Sequence, residues 1–244
     1  QLGAGDAVLP VDPWWMVAGG LAAIAVFAWR QVRLAREGSP LLNLSTLAIP
    51  RYTHALALMA AAFMAMLGAM ILLPLYLQDV RGLSTLATGL MLMPGGLAMG
   101  LLGPTVGKLY DRYGARVLVL PGAIGCTLLL AVLARVDMHT PYWVILADYT
   151  AMLVCLSFVF TPVFTLGLGA LPAQLYSHGS SLLGTVQQLA AAAGAALVVT
   201  VMSSHAGDLV REGHSGLDAM AGGMRWAFGL AALISLTVLV LAAT

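Results

Sequence analysis

The sequence predicts an all-α integral membrane protein. Three observations carry the prediction. The chain of 244 residues is 61% hydrophobic and only 9% charged, against ~25% charged residues in an average soluble domain. Its mean hydropathy of +0.95 means more apolar surface than a soluble fold of this length can cover. The apolar residues gather into seven runs, most of them near the ~20 residues a helix needs to cross a bilayer. These runs are too long for barrel strands of ~10 residues, and they do not alternate. The net charge of +1 argues against a nucleic-acid partner. No P-loop is present to suggest ATP coupling.

The runs fall at about 14–29, 55–77, 84–106, 117–134, 142–166, 181–203 and 226–243. The first is short but carries Trp14, Trp15 and Trp29, which suit the two membrane interfaces. Arg30, Arg33 and Arg36 follow it, then SPLLNLSTLAIP. This reads as a basic helix end at the lipid surface, a positively charged linker and a short interfacial segment. The second run holds Phe63, Met64 and Met66, either a soft wall for varied ligands or ordinary packing.

The third run contains GLMLMPGGLAMGLLGPTVG, with Gly96 and Gly100, then Gly103 and Gly107, four apart. That spacing predicts a face where another helix approaches closely. Pro94 and Pro104 are expected to kink it. The fourth and seventh runs, VLVLPGAIGCTLLLAVLA and WAFGLAALISLTVLVLAA, carry almost nothing polar and are expected to face lipid on most sides. Cys126 and Cys155 sit in apolar runs and read as small buried hydrophobes rather than a disulfide or metal site.

Asp148, in the fifth run, lies seven residues after Pro141, ~10 Å along a helix. An acid inside a membrane span is a candidate functional group. It would attract a cationic compound or accept a proton. The alternative has it paired, or reaching interfacial water. The sixth run, SSLLGTVQQLAAAAGAAL, carries Ser180, Ser181, Gly184, Thr185, Gln187 and Gln188. Gln187 and Gln188 project about 100° apart, so one faces a cavity or hydrogen-bonds across helices, with interhelical glue as the alternative. Polar groups avoid lipid, so the fifth and sixth runs are expected to line an interior, with the second and third packed beside them. Runs two to four and five to seven form two triplets, each ending in an apolar span. That regularity suggests a three-helix repeat.

Basic residues set the expected orientation. Arg30, Arg33, Arg36, Arg51, Lys108, Arg112 and Arg116 would lie on one side, and Arg81, Arg135, Arg211 and Arg225 on the other. Seven against four places the segment 107–116 in the cytoplasm and Gln1 outside a cell membrane. The chain opens on Gln1 without an initiator Met and stops at Thr244 within an apolar run, so a C-terminal piece of a longer protein is expected. It divides into 1–38, an external loop, an extra span and a basic linker, and 39–244, a six-helix unit.

One charged knot interrupts the apolar sequence: GPTVGKLYDRYGARVLVL, with Lys108, Asp111, Arg112 and Arg116. Its centre, GKLYDRYGAR, resembles the cytoplasmic signature of the major facilitator superfamily, roughly G-x-L-x-D-R-x-G-R-[RK]. LLPLYLQDVRGLSTLATGLMLMPGGLAMGLLGP and HGSSLLGTVQQLAAAAGAAL are similar to the fourteen-span drug:proton antiporters of the EmrB/QacA type. The resemblance covers about Pro40 to Ser203. It implies that runs two to seven are the C-terminal half of such a transporter and that run one is an extra helix between the halves. It implies that Gly107 and Gly114 permit tight turns. Asp111 would pair with a cationic group or a helix N-terminus, and Lys108, Arg112 and Arg116 would complete a latch that switches between inward-open and outward-open states. Ala115 and Tyr110 depart from the signature, and a plain topogenic turn is the alternative. The family assigns nothing to Asp148.

His178-Gly179-Ser180-Ser181 lacks the G-x-S-x-G setting of a nucleophile. His205, Asp208, Glu212 and His214 match no zinc spacing. The sequence therefore points to no enzyme, metal or cofactor. The expected function is proton-coupled efflux of bulky hydrophobic or cationic drugs by alternating access. The expected partners are the N-terminal half of the same transporter, the lipid bilayer, small amphipathic or cationic substrates and protons. The rivals are an exporter dedicated to one metabolite or self-made antibiotic, and a membrane scaffold or receptor that transports nothing.

Overall fold

The computed structural model describes residues 13–36 and 42–243. Gln1 and the division between residues 38 and 39 lie outside the described residues. The long elements are α1 (Pro13–Arg36), α2 (Pro50–Leu75), α3 (Thr85–Tyr113), α4 (Ala115–Leu133), α5 (Tyr142–Gly169), α6 (Tyr176–Arg211) and α7 (Gly216–Ala243). A π-helical turn, Tyr76–Val80, extends α2. Among the described residues every element is helical. Hydrocarbon offers no water to backbone N–H and C=O groups, so each span must satisfy its own.

Six helices, α2 to α7, are long and apolar enough to cross a membrane. The seventh expected span, α1, falls short of that standard. Trp14, Trp15, Trp29, Gly19, Gly20 and Arg30 dilute its apolar run. Most helices overrun the apolar runs, because their polar ends continue as helix. The segment after α1 forms a short 3₁₀ turn, Leu44–Ala48, capped by Asn43, whose side chain accepts from Ser45 N at 3.0 Å.

α2 sits centrally against α5, α6 and α7; α4 packs on α5 and α7, α3 on α5, and α6 on α7. Exchanging the triplets α2–α4 and α5–α7 maps α3–α5 onto α6–α2 and α4–α5 onto α7–α2. One interface breaks the pattern: α6 packs along α7, while α3 barely touches α4. Two apolar clusters fill the α2/α4/α5/α7 centre. One joins Leu72, Leu77, Leu133, Ile145, Met152 and Phe228, and the other joins Leu58, Met59, Val119, Val159, Val163 and Val238.

The fourth and seventh runs, expected to face lipid on most sides, do keep most of their surface open, and give one face to the core. α4 and α7 each bury a face in these clusters. Their rare hydroxyls meet there, with Thr127 Oγ1 2.9 Å from Ser235 Oγ. The least buried span is α3. Its glycines show why. A methyl group added at Gly96, Gly100, Gly103 or Gly107 would meet nothing within 4 Å, so that face has no neighbour in this chain. The close approach comes at Gly95, where a Cβ would lie 3.0 Å from both Tyr149 and Leu153 of α5. Tighter still, a Cβ at Gly122 of α4 would lie 2.8 Å from the Cys155 carbonyl oxygen, one at Gly194 of α6 would run into the Met64 backbone, and one at Gly223 of α7 into the Met202 carbonyl. Both cysteines are free.

The π-turn of α2 anchors the α4–α5 connection. Arg81 donates from Nη1 to the Thr140 carbonyl at 2.8 Å and lies over the Tyr142 ring, 4.3 Å from its centroid. Tyr76 Oη donates to the Asp137 carbonyl at 2.6 Å. The Asp137 carboxylate accepts from Thr140 Oγ1 at 2.8 Å and His139 N at 3.0 Å. These bonds hold its carboxyl below the usual carboxylate range, the Thr140 hydroxyl contributing most.

Two predictions follow from this packing and this turn. Gly194→Ala forces a methyl into backbone that cannot yield, and we expect a loss of about 1–3 kcal/mol, read as a lower thermal midpoint. Gly100→Ala, which meets nothing within 4 Å, should hold or slightly raise the midpoint, since alanine favours a helix interior over glycine. For Asp137 the folded value is depressed, so its contribution is present above the unfolded value of about 3.9 and is lost as pH falls through the folded value. Hydrogen exchange across residues 137–140 should accelerate, relative to intrinsic rates, only in that acidic window. Asp137→Ala should remove the dependence.

Candidate functional site

A groove of about 340 Å³ opens between α2, α5 and α6. Met59 and Phe63 line it from α2, Phe160, Thr161, Phe164 and Thr165 from α5, and Gln187 from α6. Phe63 and Phe160 form its back wall, with ring centroids 4.7 Å apart and planes tilted by 35°, a favourable aromatic geometry. Phe164 is 43% exposed and stands at the rim. Gln187 brings an amide into otherwise apolar surroundings. Thr165 Oγ1 donates back to the Thr161 carbonyl at 2.9 Å, which leaves its lone pairs for a ligand. Among the described residues no carboxylate, lysine or arginine lines the groove. The arrangement binds by aromatic contact and a few hydrogen bonds. It holds no nucleophile paired with a base.

The structure separates the residues singled out by sequence. Phe63 and Gln187 share the groove. Gln188 and Thr185 lie on the exposed face of α6, Thr185 donating back to the Ser181 carbonyl at 2.9 Å. Met66 lines a small internal void with Ala65, Cys126, Leu130 and Met152, behind the groove rather than in it. Phe160 and Phe164 were not singled out from sequence. A signal for them existed: Phe160-Thr161 and Phe164-Thr165 repeat the same pair four residues apart, which puts both pairs on one helical face.

Asp148 lies in the first third of α5, with 8% of its surface exposed. Its Oδ2 is buried without a hydrogen-bond partner among the described residues. It lines neither the groove nor the void.

The signature segment is helix rather than loop. α3 runs to Tyr113 and α4 starts at Ala115, so Gly114 alone joins them. Its φ of +79° explains the glycine, since side chains disfavour that conformation. Gly107 makes no turn, which corrects its expected role: it lies two turns inside α3. Lys108, Asp111 and Arg112 are exposed. Among the described residues Asp111 makes no ion pair or hydrogen bond; the ion pair found there joins Arg211 and Asp208. Arg112 lies over the Tyr113 ring, 5.3 Å from its centroid.

Arg116 acts elsewhere. Its Nη2 donates to the Ala243 carbonyl at 2.9 Å, and His54 Nε2 lies 2.9 Å from the Leu241 carbonyl. Both side chains thus serve the carbonyls that the end of α7 leaves without helical partners. Tyr52, fully buried, donates to the Gly179 carbonyl at 2.7 Å and ties α2 to α6 at the same end.

Comparison with known proteins adds the family. Residues 12–195 match the model of the Major Facilitator Superfamily. The lincomycin resistance protein LmrB of Listeria monocytogenes is 38% identical over 204 residues, 84% of this chain and 42% of that protein. LmrB of Bacillus subtilis is 30% identical over 227 residues, 91% of this chain and 47% of its own length. The multidrug resistance protein Stp of Mycobacterium tuberculosis is 28% identical over 191 residues, 78% and 34% of the two chains. The chain spans less than half the length of these relatives. With six apolar helices around a shared core and a family match over most of its length, this multi-pass membrane chain belongs to the major facilitator superfamily.

Proposed function

We propose that this chain is the C-terminal half, with one preceding extra helix, of a proton-coupled exporter of bulky hydrophobic or cationic compounds that works by alternating access. The observation that carries the reading is the groove of Phe63, Phe160, Phe164 and Gln187. It is an apolar, aromatic, uncharged wall inside a membrane bundle, the chemistry that accepts varied amphipathic compounds. The open faces of α3 and α6 would receive the N-terminal half, which would close the groove into a cavity. The drug-resistance names of the relatives support the same reading. In it, the end bearing Gly107–Arg116 faces the cytoplasm and the Arg81 end faces outward.

Asp148 would be the auxiliary acid of this half. A buried carboxyl without a donor is completed by a proton or by a cation, so it is the natural contact for a positive charge on the outward side. Asp111, exposed and unpaired, would find its cationic partner only in the other conformational state or on the other half. The latch would then bias a two-state equilibrium.

The test is dye efflux from vesicles holding the complete transporter, with and without an imposed proton gradient. Gradient-driven efflux of several unrelated dyes is expected. No movement of any dye by folded protein would favour a single-metabolite exporter or a scaffold instead. Phe160→Ala should slow efflux of aromatic dyes by about tenfold while membrane abundance stays constant. Asp148→Asn should weaken cations more than neutral compounds, and a uniform effect would refute its role. Asp111→Asn should slow transport without lowering abundance; equal loss of both would reduce the signature segment to a folding element.

A further inference from the structure

The end bearing the signature holds a second, larger cavity that the groove does not explain. It measures about 660 Å³ and is lined by Pro50, Arg51 and His54 of α2, Tyr110 of α3, and Thr165, Leu166, Gly169 and Ala170 at the end of α5. Thr165 also lines the aromatic groove, so the two spaces lie end to end along α2 and α5. From Gly169 to Phe160 is nine residues, about 14 Å of helix, the reach of a medium-length alkyl chain.

The electrostatics of this vestibule are one-sided. Arg51 is exposed and has no hydrogen-bond or ion-pair partner among the described residues. The Leu241 carbonyl can only accept, so His54 donates to it from Nε2, and Arg51 is the donor left for an anion. The Tyr110 hydroxyl makes no hydrogen bond among the described residues. No carboxylate lines the space. α2 begins here and α5 ends here, so their helix-end partial charges of about +0.5 and −0.5 oppose each other, and Arg51 decides the sign. An adjoining chamber of about 350 Å³, sharing His54 and Leu166, adds Arg116. A cationic head group would be repelled at this mouth. An anionic one would gain a charge-assisted bond while its tail entered the aromatic groove.

We infer that this vestibule binds an anionic head group, phosphate or carboxylate, through Arg51 and the Tyr110 hydroxyl, with an apolar chain that continues past Thr165 into the groove of Phe63, Phe160 and Phe164. Two sources share this chemistry: an acidic amphiphile on its way through the transporter, and an anionic lipid of the adjacent leaflet. The inference rests on the geometry and on the membrane setting, and does not require that drugs are exported.

The experiment uses the complete transporter in phosphatidylcholine nanodiscs. Decyl phosphate, decyl maltoside and decyltrimethylammonium compete against a fluorescent alkyl phosphate, with empty nanodiscs giving the partition background. Decyl phosphate should bind best and the trimethylammonium worst. Arg51→Gln should weaken decyl phosphate about tenfold, the effect of losing one charge-assisted hydrogen bond, and leave decyl maltoside unchanged, which also verifies the fold. Arg51→Lys should retain most of the affinity. Equal binding of the three head groups, or an Arg51→Gln protein that binds decyl phosphate as before, overturns the inference. Gradient-dependent release of decyl phosphate from vesicles would identify a transported amphiphile. Head-group-selective binding without movement would identify a resident lipid. Normal dye efflux with no head-group preference would sink the vestibule alone, while selective binding without any efflux would sink the export reading alone.

Discussion

The arrangement of the groove depends on one close approach, that of α6 to α2 at Gly194. There the absent side chain lets the α6 backbone rest against the backbone of Met64. Membranes provide no hydrophobic force between apolar helices, so such contacts gain stability from packing and from what the backbones can reach. The approach also sets register. Gln187 lies two turns before Gly194 on the same side of α6, and Phe63 is the residue before Met64. Seating the glycine on that backbone therefore delivers the amide to the aromatic wall. A bulkier residue at Gly194 would move α6 outward and separate Gln187 from Phe63 and Phe160.

The two ends of the bundle are tied by different chemistry. At the signature end, the side chains of Tyr52, His54 and Arg116 each reach a backbone carbonyl of another helix, Gly179, Leu241 and Ala243 respectively. At the opposite end, Arg81 and Tyr76 hold the α4–α5 turn through the carbonyls of Thr140 and Asp137. Each tie joins a side chain to a main-chain acceptor. Such bonds hold helices in place without an ion pair that a change of state must break. The charges of the signature segment, Lys108, Asp111 and Arg112, stay exposed and are free to engage another surface.

Much of this was legible in the sequence, for reasons that follow from lipid as solvent. Apolar length marked six helices, and the resemblance of GKLYDRYGAR to the family signature marked Gly114 as a turn, as its positive φ bears out. Gln187 stood out because an amide is costly in hydrocarbon. The failures share one cause: a sequence shows which faces a helix has, not which face finds a neighbour. Gly95, one position from Gly96, makes the contact with α5, while the face of Gly96 and Gly100 stays open among the described residues. The spans read as lipid-facing, α4 and α7, keep most of their surface open but each also buries a face in the core, and the glycine-rich α3 is the least buried span. Gly107 looked like a turn because the signature contains it, but the helix continues through it. Phe160 and Phe164 were hidden because an aromatic ring in an apolar run carries no contrast. Asp148 was visible as a charge, but only the fold shows its oxygen buried without a donor.

The near-symmetry of the two triplets explains why the groove is where it is. Under exchange of α2–α4 with α5–α7, the two first helices of the triplets, α2 and α5, map onto each other and meet at the middle. Phe63 and Phe160 come from this pair, and their contact lies where the two repeats face each other. The one interface that departs from the exchange is α6 on α7, fixed by Gly223 against the Met202 carbonyl. The counterpart helices, α3 and α4, share no such contact, and α3 is correspondingly free on its outer side. The asymmetry leaves α6 held by two neighbours, α2 and α7, and α3 held chiefly by α5. The helix that brings the Gln187 amide to the groove is thus the better held of the pair. α3, which carries the exposed charges of the signature, is the less restrained of the two among the described residues.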